Sequence, residues 1–131
     1  MVKPLILNIM KKRVFISFDF DNNLNLKNLL VGQAKNPDSP FEISDWSLKE
    51  AAPEWDWIYK AEQKIKSSDI VVVIAGTYTY CAPGVKKEIA LARKYGKKVV
   101  QIKPIGTNPT RVYDAGIMYD WTWDNLKTLL S

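Results

Sequence analysis

The run Ile70-Val71-Val72-Val73-Ile74-Ala75 constrains this chain more than any other feature: six apolar residues, five of them β-branched, closed by Gly76. A strand with one wet face alternates polar and apolar side chains. This run does not alternate, so both of its faces must be covered, as in a parallel sheet wrapped by helices. A second run, Lys98-Val99-Val100-Gln101-Ile102, has the same character and stops at Pro104. Neither approaches the ~20 apolar residues needed to cross a bilayer.

Two further strands are expected. Arg13-Val14-Phe15-Ile16-Ser17-Phe18 ends at Asp19-Phe20-Asp21-Asn22-Asn23, and Phe41–Trp46 follows the turn-rich Asn36-Pro37-Asp38-Ser39-Pro40. Helical spacing fills the intervals. Leu24, Leu26, Leu29, Leu30 and Ala34 mark a helix starting at an Asn22-Asn23 cap. Ile58, Ala61 and Ile65, with Trp55, mark a second over Asp56–Lys66. Val85, Ile89, Ala92 and Tyr95 mark a third, ended by Gly96. Leu126, Leu129 and Leu130 face inward from a last helix, Trp123–Leu130. Alternating strands and helices predict a flavodoxin-like α/β three-layer sandwich. Its parallel sheet has about five strands in order 2-1-3-4-5, the fifth within Arg111–Tyr119. The length of 131 residues suits one domain, expected over 13–131 behind a 1–12 extension. Any effector is then expected on another chain.

The residue inventory removes several chemistries. With no histidine and one cysteine, Cys81, there is no Ser-His-Asp or Cys-His nucleophile pair and no intrachain disulfide. A zinc site would need that cysteine plus carboxylates, and no metal is expected. Chemistry must run on carboxylates, hydroxyls, lysines or backbone dipoles. Nineteen basic residues against 14 acidic ones give a charge of +5. They lie in short groups, Lys11-Lys12-Arg13, Lys86-Lys87 and Lys97-Lys98, each flanking an expected element. Solvated surface produces such a pattern, which argues against a nucleic-acid partner. Leu5-Ile6-Leu7 is too short for a signal segment, so a cytoplasmic protein without membrane attachment is expected.

In such sheets ligands bind beyond the carboxyl ends of the strands, where the strand order reverses. That rule selects Phe18–Asn22 and Gly76–Gly84 as the rim, with Asp45 and Trp46 beside them. Three functions fail at this rim. A receiver needs a phosphoacceptor Asp after strand three, where Ala75-Gly76-Thr77 stands. A flavodoxin needs a hydroxyl-rich phosphate loop after strand one, where Asp19 and Asp21 would repel phosphate. Neither a Gly-x-Gly-x-x-Gly fingerprint nor a Walker loop is present. What remains is the hydroxyl and aromatic loop from Gly76 to Gly84, leading into a helix that carries Glu88. Glu88 borders the apolar face of that helix. The helix macrodipole also favours a glutamate near an N-terminus without any function, so its role stays open on residue physics alone.

The order and spacing of these pieces resemble the TIR-like domain family, in the bacterial and archaeal branch that includes the Thoeris anti-phage system. The resemblance rests on Arg13–Phe18, Ile65–Ile74, Gly76-Thr77-Tyr78-Thr79, Val85–Ala92 and Gly96–Val100, and on Trp121-Thr122-Trp123-Asp124-Asn125-Leu126. It implies a catalytic glutamate at Glu88, acting at the ribose of NAD while the nicotinamide bond breaks. Phe18, Asp19, Asp45, Trp46, Thr77 and Tyr78 would border the nucleotide, with Tyr78 or Trp46 stacking on a base. Trp46 equally fits a half-buried core aromatic. The family's Trp-Cys pair ahead of the glutamate is replaced here by Gly84 and Val85. The Trp46–Trp57 segment stands where TIR domains carry a partner-binding loop, which suits self-association or simple packing. Glu88–Lys97 also resembles the Glu-Ile-x-x-Ala-x-x-x-Gly-Lys run of nucleoside deoxyribosyltransferases, which act at a glycosidic carbon too.

The expected function is therefore cleavage or rearrangement of the N-glycosidic bond of NAD or a related nucleotide, making a signal molecule in bacterial defence. NAD would be substrate, with no cofactor. A non-catalytic binding module that recognises a protein or nucleotide is the alternative.

Overall fold

The computed structural model describes residues 11–44 and 54–131. Five strands form one sheet: β1 (Lys12–Ser17), β2 (Phe41–Ile43), β3 (Ile70–Ile74), β4 (Lys98–Lys103) and β5 (Met118–Asp120). All four pairings are parallel, and the order is β2-β1-β3-β4-β5. The helices are α1 (Phe20–Ala34), α2 (Glu54–Lys66), α3 (Pro83–Lys94) and α4 (Trp123–Leu129), and a 3-10 turn spans Thr79–Cys81. This is the flavodoxin-like sandwich the alternation predicts. Of the extension expected over 1–12, residues 1–10 lie outside the described residues, and Lys12 opens β1.

The unalternating run reads out as two-sided burial. Every residue of β3 is buried. Ile70, Val72 and Ile74 join Val14, Ile16, Leu30, Phe41, Leu126 and Leu130 on the face covered by α1 and α4. Val71 and Val73 join Phe15, Ala61, Ile65, Val85, Ile89 and Ala92 on the face covered by α2 and α3. Together these two apolar layers hold the sheet by removing its β-branched side chains from water on both sides.

Helix ends follow their local signals. Pro83 opens α3, where its missing N–H is not needed. At the other end Gly96 takes φ +65°, Gly96 N donates to Arg93 O at 3.1 Å and Lys97 N to Ala92 O at 2.9 Å. That is a Schellman closure built on glycine. Thr122 caps α4 by accepting from Asn125 N at 3.0 Å. Away from the sheet, α2 and α3 are tied by Tyr95, whose hydroxyl donates to Glu62.

Several details depart from the sequence expectations. Helix α1 starts at Phe20 behind Asp19, and the Asn22-Asn23 pair expected as its cap is instead a kink at Asn23 (φ −125°, ψ 24°). Its inward stripe is Leu26, Leu30 and Ala34, at four-residue steps, with Val31, while Leu24 and Leu29 are exposed. On α2 Trp55 is exposed, and Trp57 packs on the core instead. β2 is shorter than Phe41–Trp46 among the described residues, and β5 begins only at Met118. The stretch before β5 is a loop fastened by Gln101. Fully buried in β4, it donates to Val112 O at 3.1 Å and Gly116 O at 2.8 Å, and accepts from Val112 N at 3.0 Å.

Candidate functional site

Strands β1 and β3 are neighbours, yet the helices that follow them lie on opposite faces. Helix α1 leaves β1 toward one layer and α3 leaves β3 toward the other, so a crevice must open above their carboxyl ends. A cleft of about 540 Å³ occupies that place, inside the ~300–1,000 Å³ range of small-molecule sites. Its walls are Phe18 and Asp19 from the β1–α1 turn, Asp21 and Asn22 from the first turn of α1, Trp57 from α2, Tyr78 and Cys81 from the β3–α3 loop, and the Ala82–Val85 turn that opens α3.

The β3–α3 loop owes its shape to Thr79. This buried hydroxyl accepts from Gly76 N at 2.8 Å and donates to Ile74 O at 3.0 Å, folding the loop back on the end of β3. Neighbouring Tyr78 and Tyr80 are thereby turned outward, and both are exposed. Gly76 lets the loop approach the Asn23 side chain closely. A Cβ there would run into the Asn23 side-chain amide, at the kink of α1. Kink and loop thus fit together at the edge of the crevice. On the opposite lip Asp19, almost wholly buried, accepts from Asn22 Nδ2 at 2.6 Å.

Glu88 lies one turn after Val85 on the inner face of α3, with no exposed surface. Its Oε1 accepts a 2.7 Å hydrogen bond from Ser17 Oγ, on the last residue of β1 and itself fully buried. A carboxylate in an apolar layer needs such donors to be tolerated. Neither residue lines the cleft, although Phe18, next to Ser17, and Val85, one turn before Glu88, both do.

Of the residues singled out from the sequence, Phe18, Asp19 and Tyr78 come together in the cleft, while Glu88 is fully buried and does not line it. Thr77 does not join them. It lines a separate hollow with Asn23, Gly76, Thr107 and Thr110, because the loop turns at Tyr78. Asp45 and Trp46 lie outside the described residues. Sequence reading missed Ser17 and Trp57. The first carries no local signal, being one serine in an apolar strand. For Trp57 the signal was available, since Trp57, Ala61 and Ile65 follow four-residue steps.

Comparison with known proteins bears on the family and the fold. The family model described as Thoeris protein ThsB, TIR-like domain, matches residues 15–109. No curated protein matches the chain. Among solved structures, a 2-desoxiribosyltransferase from Leishmania mexicana superposes with a TM-score of 0.56 at 15% identity, over 70% of this chain and 64% of that one. The chain thus spans less than two thirds of that enzyme's length. The CMP N-glycosidase BcmB of Clostridium botulinum superposes with a TM-score of 0.52 at 16% identity, over 90% of this chain and 94% of that one. At such identities the likeness is one of fold.

Proposed function

The chain belongs to the family of the Thoeris ThsB TIR-like domain, and from that membership we propose that it breaks or rearranges the N-glycosidic bond of NAD or a related nucleotide, with Glu88 as the catalytic carboxylate. The observation that carries this reading is the buried Ser17–Glu88 pair, whose chain neighbours Phe18 and Val85 line a nucleotide-sized cleft at the strand-order reversal. The two fold neighbours are described as a desoxyribosyltransferase and a CMP N-glycosidase, which supports the same bond class.

The chemistry follows from the residues. As the bond from C1′ to the nicotinamide nitrogen breaks, its electron pair leaves with the ring and C1′ gains oxocarbenium character. A carboxylate in a low-dielectric site stabilises that charge. Water then adds to C1′ and loses its proton, or a nucleophile on the nucleotide itself adds and closes a ring. No histidine is required. Asp19 and Asp21 on the lip suit a cationic pyridinium. The first turn of α3, whose N–H groups lack helical acceptors, suits a phosphate. Because Glu88 is fully buried, catalysis on this reading requires the floor between Phe18 and Val85 to open when substrate binds. The product would serve as a signal in anti-phage defence, read by an effector on a separate chain, in the cytoplasm. Among the described residues, no helix is long and apolar enough to cross a membrane.

The burial of Glu88 also favours a second reading, a non-catalytic module that binds a nucleotide or a protein through the same rim. Incubating wild type and Glu88→Gln with NAD, followed by chromatography, separates the two. Turnover lost in the variant supports the enzyme. Absence of turnover by concentrated wild type leaves the binding module.

A further inference from the structure

A second hollow, of about 450 Å³, opens on the outer side of α3, beyond the loop that separates it from the cleft. Its floor is apolar, with the nearly buried Ile89 beside Ala90. Two exposed rings, Tyr80 and Tyr113, and two cations, Lys86 and Arg111, stand around it. The charges are what set it apart. Neither Lys86 nor Arg111 pairs with a carboxylate among the described residues. The one acid at the rim, Asp114, is engaged elsewhere: Arg93 Nε sits 3.4 Å from its Oδ1, and Arg93 also donates to its backbone oxygen. The hollow is therefore left with an uncompensated positive field.

The rim is also held in place rather than loose. Arg111 Nη2 donates to Gly116 O at 3.0 Å, which fixes the guanidinium. Gln101 anchors the same loop from below through Val112 and Gly116. A fixed guanidinium beside a lysine is a phosphate-binding pair. Exposed tyrosine rings over an apolar floor accept the face of a base. An acidic peptide would use the cations but has no need of two rings.

We infer that this hollow is a second nucleotide site, distinct from the cleft below Tyr78, taking an aromatic base against Tyr80 and Tyr113 and a 5′-phosphate on Lys86 and Arg111. The two sites share walls. Tyr78 and Cys81 face the cleft while Tyr80 faces the hollow, and α3 gives Pro83–Val85 to one and Lys86, Ile89 and Ala90 to the other. A nucleotide bound outside would thus brace the helix that carries Glu88.

Calorimetric titration of the whole chain with AMP tests the assignment, with adenosine and pyrophosphate as competitors. Saturable binding is expected, weakened by about tenfold or more in Lys86→Glu and in Arg111→Glu, each a lost charge-assisted contact. Tyr113→Ala, at a residue 89% exposed, should weaken it as well without disturbing the fold. Tyr78→Ala and Glu88→Gln should leave it unchanged. Thermal melting of each variant checks that the fold survives. The assignment is overturned if AMP does not bind saturably, or if charge reversal at Lys86 changes nothing. It is equally overturned if Tyr78→Ala abolishes binding, which places AMP in the cleft, or if pyrophosphate competes as well as AMP, which leaves the rings without a role.

Discussion

Ser17 Oγ, on the last residue of β1, donates a 2.7 Å hydrogen bond to Glu88 Oε1 on α3, across 71 positions of sequence and with both residues fully buried. This bond joins the strand and the helix that flank the cleft, so the site and the fold share an interaction. Ser17 stands in register with Val73 on β3, which leaves its backbone position little freedom. The hydroxyl therefore holds the carboxylate in one orientation.

Removing it should be felt in stability first. Ser17→Ala takes a donor from a buried carboxylate, which should cost about 1–3 kcal/mol by urea unfolding at neutral pH. In a Glu88→Gln background the same change should have a different cost, because the hydroxyl then faces a carboxamide in place of the carboxyl group. A double-mutant cycle reads the difference. Strict additivity of the two substitutions would show that the bond carries no coupling.

Gln101 makes a separable prediction. Its side chain is fully buried and satisfies Val112 N, Val112 O and Gly116 O. Gln101→Leu keeps the bulk and removes all three bonds. The β4 ladder to β3 should survive, while the loop before β5 opens locally. Amide hydrogen exchange should show protection lost at Val112 and retained at Val100. Unchanged protection at Val112 would mean the loop is held by its other contacts.

The Glu62–Tyr95–Lys94 group predicts a pH response. The Tyr95 hydroxyl, with Lys94 behind it, holds the Glu62 carboxyl below its ordinary value. Lys94 is raised by the Tyr95 phenolate charge first and by Glu62 second, and Tyr95 is raised chiefly by its hydrogen bond to Glu62. A lowered carboxylate contributes stability that is present above its unfolded value and lost as pH falls through the folded one. Raised Lys94 and Tyr95 contribute stability present below their unfolded values and lost as pH rises through the folded ones. Between these limits the link is intact. Tyr95→Phe should move the Glu62 midpoint upward in a carbon-detected NMR titration. A midpoint that stays in place would remove Tyr95 as the cause.

What could be read in the sequence was whatever leaves a local or periodic trace. The β3 run announced burial on both faces, because nothing else explains six apolar residues without alternation. Gly96 announced its helix end, since a Schellman closure demands positive φ. The Asn22-Asn23 pair reads as a cap because asparagine serves caps and kinks alike, and contact with the Gly76 loop makes it a kink. Trp55 and Trp57 are two residues apart and so stand on nearly opposite sides of one helix, and only Trp57 keeps step with Ala61 and Ile65. Ser17 left no trace at all. Its partner lies on an element that only the folded sheet brings near.

The cleft's outer ring gives the sharpest kinetic test of the proposed reaction. Tyr78 is 55% exposed and lines the cleft, while the Thr79 staple fixes the loop that carries it. A ring so placed can stack on a base, and it lines the cleft while Ser17 and Glu88 do not. Base stacking acts equally on ground state and transition state, so its loss should raise KM and leave kcat nearly unchanged. Tyr78→Ala should therefore lower kcat/KM by a factor corresponding to about 1–3 kcal/mol. Tyr78→Phe keeps the ring and should restore most of it. Glu88→Gln should do the opposite, lowering kcat with little change in KM, since a carboxylate that meets oxocarbenium charge acts only as that charge develops. If Tyr78→Ala lowered kcat and spared KM, the loop would be working on the chemical step, and the division between a stacking wall and a carboxylate floor would fall.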